Sequence, residues 1–210
     1  NGPCVISGGT GDVLRAIDAD GKVMWEQRGV GAGFIEMGIS VGDINGDGVD
    51  EVVFVHQGRA IQAVDGDGEI MWSSMDYVGG DQPCGPAIGD ITGDGEPEFL
   101  FTQRLGKCLR VIGADGSLLE ELDMPDGVSG SPIIADVDGD GLVEVAVAAY
   151  DIGADGGIGN TALTIYRWTG SGLHALDEIA VRGHVGDLTF SLPTGSVSPQ
   201  LILERGAGEE

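Results

Sequence analysis

Oxygen-bearing side chains stand at every second position in three short stretches of the chain: Asp43, Asn45 and Asp47; Asp90, Thr92 and Asp94; Asp136, Asp138 and Asp140. A glutamate closes each stretch, at Glu51, Glu98 and Glu144. Side chains spaced this way around a tight turn converge on one point. A set of carboxylates, an amide or hydroxyl and a backbone carbonyl is what a hard divalent cation such as calcium selects. The carbonyls at the seventh position belong to Val49, Glu96 and Leu142, and Gly48, Gly95 and Gly141 permit the sharp turn because glycine takes positive φ without a Cβ penalty. The expected chemistry is ion binding, with about three calcium ions in all. Carboxylates committed to a cation are held ionised and cannot act as proton donors.

The elements that must position these ligands are legible around them. The segments GDINGDGVDEVVFV (42–55), GDITGDGEPEFLFT (89–102) and ADVDGDGLVEVAVA (135–148) recur at offsets of 47 and 46 residues. A helix–loop–helix calcium hand opens the same way but needs a bidentate Glu at its twelfth position, where this chain has Phe54, Phe101 and Val147. Here the last acid is ninth, and it is followed by Val52, Val53, Phe54 and Val55, by Phe99, Leu100 and Phe101, or by Val145 and Val147. Such β-branched and aromatic runs favour strand, so each loop should join two strands.

A second repeat carries the same period. VLRAIDADGKVMW (13–25), AIQAVDGDGEIMW (60–72) and CLRVIGADGSLLE (108–120) align without gaps, each reading as strand, Asp-Gly turn and strand. One repeat unit would then run loop, strand, turn, strand, hairpin, strand, with alternation placing one face inward. Trp25 and Trp72 fall at equivalent places and are expected to pack between neighbouring repeat units. Their surroundings, A-x-D-x-x-G-x-x-x-W, resemble the tryptophan docking motif of quinoprotein propellers but lack its Thr-Gly turn. LTIYRWTGSGLHAL (163–176) resembles the hairpin again, after a Gly-rich insertion from Asp151 to Asn160 that reads as a loop. VGDLTFSLPTGSVSPQLILERG (185–206) keeps the strand rhythm without the metal-binding residues.

The D-x-[DN]-x-D-G-x-x-E loop in a repeat of this length resembles the FG-GAP or VCBS-type repeat of integrin-α-like β-propellers, over residues 37–150. The resemblance implies an all-β propeller of four-stranded blades in which the loop links the first two strands of a blade and the ion holds a turn on one face. It also implies the ligand positions above, and no specificity for a partner. On this reading residues 1–36 form a part-blade, 37–83, 84–127 and 128–183 form blades, and 184–210 form another part-blade. The whole is either a small ring of about five blades or a segment of a larger one.

Composition bounds the partners. Thirty-five acids against 10 bases give a net charge of −25, and three divalent ions would leave most of it in place. Nucleic acid and anionic membrane surfaces are disfavoured as partners because phosphate recognition needs clustered Lys and Arg. No stretch is long and apolar enough to span a bilayer. Cys4, Cys84 and Cys108 are odd in number; a Cys84–Cys108 bridge within one blade is open, and Cys108 reads as a small buried hydrophobe. His56, His174 and His184 lie far apart, with no G-x-S-x-G nucleophile motif. Arg15, Gln62 and Arg110 occupy equivalent hairpin positions and either line one surface or cover strand edges.

The function expected is an extracellular or cell-surface recognition, adhesion or structural module, not an enzyme. Its partner would be a protein, a glycan or a second copy of itself. The alternative is a calcium-dependent polysaccharide lyase similar to rhamnogalacturonan lyases. Such a lyase would use a base and cationic groups, for which the chain offers only scattered Arg59, Arg104, Arg110 and Arg182. Four carboxylates in the third loop predict tighter ion binding there than in the second, where Thr92 is neutral.

Overall fold

The computed structural model describes residues 4–9, 13–28, 38–56, 60–74, 84–103, 107–124, 127–152, 158–181, 185–191 and 200–205, and among these every regular element is a β-strand. Among the described residues no helix is long and apolar enough to cross a membrane. Arg59, Arg104, Arg182 and His184 lie outside the described residues.

Strands β1 (Cys4–Gly9), β2 (Val13–Asp18) and β3 (Val23–Arg28) form a three-stranded sheet. Three four-stranded sheets follow. They are β4 (Ile39–Gly42), β5 (Glu51–His56), β6 (Ala60–Val64) and β7 (Ile70–Ser74); then β8 (Ala87–Gly89), β9 (Glu98–Gln103), β10 (Cys108–Ile112) and β11 (Leu118–Asp123); then β12 (Gly127–Ala135), β13 (Glu144–Ile152), β14 (Ile158–Trp168) and β15 (Leu173–Val181). A hairpin of β16 (Val185–Ser191) and β17 (Gln200–Arg205) completes the set. Every pairing is antiparallel and joins strands adjacent in sequence, as short connections favour. The hairpins read from the Asp-Gly turns are β2–β3, β6–β7 and β10–β11. Each carries a register shift just before its turn, at Ala16/Ile17, Ala63/Val64 and Val111/Ile112.

The core lies between successive sheets. Leu14 of the first sheet meets Val52, Phe54 and Val64 of the second. Val53, Val55, Ile61 and Ala63 meet Phe99, Phe101 and Ile112 of the third, whose Leu100, Leu109 and Val111 pack against Val128, Val145, Val147 and Leu173 of the fourth. The expectation of one inward face per blade therefore needs correction. A sheet stacked between two others buries both faces, which is why β5, β9 and β13 read as continuous apolar runs and not as alternating ones. The last strand of each of the first three sheets, β3, β7 and β11, carries the exposure instead: Val23, Met24, Ile70, Met71, Leu118 and Leu119 are all exposed.

The first strands converge. β4 lies beside β8, β8 beside β12, and β12 beside β16. Small residues allow the approach: a Cβ on Gly38 would stand 2.1 Å from Gly85 Cα, and one on Gly89 would stand 3.0 Å from Ile134. The Ser40 hydroxyl donates to the Pro86 carbonyl, and Thr102 Oγ1 donates to Gly130 O at 3.0 Å. The insertion read as a loop is partly strand, because β13 runs on through Ile152 and pairs with Ile158 of β14. Backbone pairing places no demand on side chains, so a Gly-rich segment can extend a ladder that its composition does not announce. Residues 153–157 lie outside the described set.

Candidate functional site

Each acidic loop connects the first strand of its sheet to the second, between β4 and β5, β8 and β9, and β12 and β13. Asp43 organises the first loop: its Oδ1 accepts from Gly46 N at 2.7 Å and Asp47 N at 3.1 Å, and its Oδ2 from Gly48 N at 2.9 Å. Asp90 takes the same bonds from Gly93 at 2.7 Å, Asp94 at 3.2 Å and Gly95 at 2.9 Å. Asp136 does so from Gly139 at 2.7 Å and Gly141 at 3.0 Å. The third residue of each set, an aspartate in all three, caps the turn, Asp47 accepting from Val49 N, Asp94 from Glu96 N and Asp140 from Leu142 N.

Two glycines per loop sit at positive φ. They are Gly46 (75°) and Gly48 (85°), Gly93 (78°) and Gly95 (94°), and Gly139 (80°) and Gly141 (90°). The sequence reading assigned this conformation only to the second of each pair, although Gly46, Gly93 and Gly139 recur as regularly.

The closing glutamates are the buried part of the site. Glu51, Glu98 and Glu144 are 1%, 3% and 1% exposed. One oxygen of each anchors the loop, Oε2 accepting from Ile44 N at 2.9 Å, Ile91 N at 2.9 Å and Val137 N at 2.8 Å. Ile44 and Ile91 thereby drop into the cores between sheets. In the second loop the other oxygen, Oε1, accepts from Thr92 Oγ1 at 3.3 Å. Burial pushes the Glu51 and Glu98 carboxyls above the ordinary range; the Ile44 and Ile91 amides oppose this, and the charges of Asp47 and Asp43, or Asp94 and Asp90, add to it. Among the described residues no ion pair brings a guanidinium or ammonium to the first or second loop. A buried carboxylate with like charges around it and an all-oxygen donor set fit a divalent cation.

The third loop differs. Arg167 of β14 reaches into it, with Nε 2.7 Å from Glu144 Oε1, one terminal nitrogen 3.0 Å from Asp138 Oδ2 and the other 3.0 Å from Asp140 Oδ2. Asp138, Asp136 and Glu144 bring ligand oxygens within 4.8 Å of one another. The Asp140 amide and then Arg167 hold the Asp138 carboxyl below the ordinary range. The sequence reading missed Arg167.

The remaining candidates are not brought together. Arg15 pairs with Glu26 at 2.9 Å, Arg110 with Glu121 at 2.6 Å, and Gln62 donates to Ser73 at 3.3 Å, each across its own hairpin. Gln62 is wholly buried, so the three equivalent positions do not form one exposed polar surface. The side chain of His174 is exposed on β15. None of the three cysteines is in a disulfide, and Cys108 is buried, which pushes its thiol pKa up. Trp25 donates to Gly66 O at 3.0 Å and Trp72 to Ala114 O at 2.9 Å, each across to the hairpin of the next sheet. Glu120, the third residue in this alignment, accepts from Leu173 N at 2.7 Å in the fourth sheet. A cleft of about 780 Å³ opens beside the first loop, between Trp25 and Met24 on one side and Val41, Val49 and Asp50 on the other.

No family model and no curated protein matches the chain. Solved structures do. BamB from Moraxella catarrhalis superposes with a TM-score of 0.61 at 15% identity over 90% of this chain and 50% of that one. BBS1N in complex with ARL6DN gives 0.66 at 13% identity over 95% and 57%. Rhamnogalacturonan lyase YesW gives 0.61 at 16% identity over 91% and 47%. The chain thus spans about half the length of these structures, and at such identities the likeness is one of fold: all-β, antiparallel and β-propeller-like.

Proposed function

We propose that the chain is a calcium-stabilised segment of a β-propeller, displayed outside the cell, that recognises a protein or glycan partner without chemical turnover. The observation that carries this reading is the repetition of one loop, with the same aspartate-centred hydrogen bonds and the same buried glutamate, at the same first-to-second-strand junction of successive sheets. Asp43, Asn45, Asp47, Glu51 and the Val49 carbonyl would hold one ion; Asp90, Thr92, Asp94, Glu98 and the Glu96 carbonyl would hold another. Bound calcium supplies positive charge that offsets carboxylate repulsion and ties the two strands of each junction together. The protein's part is to pre-form the cradle: Asp43 and Asp90 fold the backbone around themselves, and Glu51 and Glu98 fasten the loop to the strand that follows. In the first loop this also fixes Gly48–Asp50, one wall of the cleft.

Loops of this kind at modest affinity need calcium near the millimolar range, which favours an extracellular setting. FG-GAP or VCBS-type repeats, four-stranded blades and a ring larger than this segment belong to the same proposal. They are supported by the loop pattern and by the length of the similar structures. The test is a glycan array and partner pull-down run in calcium and in EGTA: calcium-dependent capture supports the reading, and capture indifferent to calcium removes it. The likeness to YesW raises the lyase alternative, which predicts release of unsaturated uronides from pectic polymers. Against it, Arg110 is already engaged by Glu121.

A further inference from the structure

We infer that Arg167 is the resident cation of the third loop, its guanidinium standing where calcium stands in the first two; this rests on the calcium reading of those loops. Strand register selects the residue. Val145 pairs with Tyr166, so Glu144 and Arg167 lie one position further along the ladder. The same step past Val52↔Val64 and Phe99↔Ile112 reaches Asp65 and Gly113 in the second and third sheets. Gly113 has no side chain, and Asp65 turns its carboxylate into its own hairpin, accepting from Asp67 N at 3.0 Å and Glu69 N at 2.9 Å. Of the three sheets, only the fourth places a long cation at that step.

The contacts are those an ion would claim. Arg167 engages the third, fifth and ninth residues of the loop, Asp138, Asp140 and Glu144, with all three of its nitrogens. A planar fork of donors satisfies carboxylates from several directions. In its contacts from Nε to Glu144 and from the two terminal nitrogens to Asp138 and Asp140, the carboxylate oxygens sit 2.7–3.0 Å from nitrogen, whereas calcium draws its six to eight oxygens to about 2.3–2.6 Å of one centre. Both cations cannot hold the same oxygens, and their like charges repel at that range. The surplus carboxylate that ranks this loop first by sequence, Asp138, stands where the other loops have neutral Asn45 and Thr92, and it is one of the arginine's partners. It answers the guanidinium and does not serve a tighter metal site. The fourth sheet is therefore stapled without calcium, while the second and third depend on it.

Native mass spectrometry and calorimetric titration of the full chain with calcium alone test this. Wild type should take two ions, Asp138→Asn should still take two, and Arg167→Met, which keeps an apolar stem without the charge, should take three. Three ions in wild type falling to two in Asp138→Asn would overturn the assignment, and those two proteins decide it even where Arg167→Met does not fold. Wild type binding no calcium at all would sink the calcium reading alone. The arginine is then decided in EGTA, where Arg167→Met must lower the melting temperature by roughly 5–10 °C and lose that effect in an Asp138→Asn/Glu144→Gln background; an unchanged melting temperature overturns it.

Discussion

Glu51 and Glu98 show how one residue type does two jobs. Each sits almost wholly out of water, fastens a loop amide with one oxygen, and leaves its charge facing two aspartates of the same loop. Without a cation the ionised form is disfavoured, so the native carboxyls keep their protons to higher pH than the unfolded chain does, starting from an ordinary value of 4.5. Over that interval the native state binds more protons, and stability must fall as pH rises. Asp115, held below its ordinary value by the Ser117 hydroxyl and amide, acts in the opposite sense but is exposed. We expect urea unfolding in EGTA to show greater stability near pH 5 than at pH 7, with calcium abolishing or reversing the slope; a rise in stability with pH in EGTA would refute the account of these glutamates. Their positions were legible from spacing alone. Arg167 was not, because its reach depends on a ladder register fixed only once β13 and β14 pair.

At the scale of the element, the hairpin is the coupling device. Trp25 and Trp72 were legible as inter-sheet residues from their equivalence, but their carbonyl partners, Gly66 and Ala114, belong to a neighbouring sheet that no local pattern names. Gly68 and Gly116 complete the fit: both have positive φ, and a Cβ would come within 2.6 Å and 2.9 Å of the indole of Trp25 and Trp72, respectively. Glu120 shows a signal present but unused. The gapless alignment puts it at the third tryptophan position, where a carboxylate accepting from the next hairpin replaces an indole donating to one. Trp72→Phe should remove chiefly the hydrogen bond and cost about 1 kcal/mol. Trp72→Ala should cost near the lower end of about 3–5 kcal/mol because the indole is only half-buried. Equal losses in urea titrations of the two variants would show that packing contributes nothing beyond the bond.

For the whole molecule, a chain of net charge −25 must hold its acids together without a compensating set of bases. Fold class was legible because two independent repeats shared one period and both ended in strand-forming runs. The burial of β5, β9 and β13 on both faces was not, since it arises from stacking sheets and not from any one strand. On the proposed calcium reading, acidic loops at the junctions of stacked sheets would make stability answer to ion concentration: a site at a hundredfold excess over its dissociation constant adds about 2.7 kcal/mol. The most direct measurement is a thermal melt of the full chain in EGTA, in millimolar calcium and in millimolar magnesium. With two loops occupied, calcium should raise the melting temperature by roughly 10–20 °C and magnesium by much less, whereas superimposable melts in calcium and EGTA would contradict the claim that these loops are calcium sites.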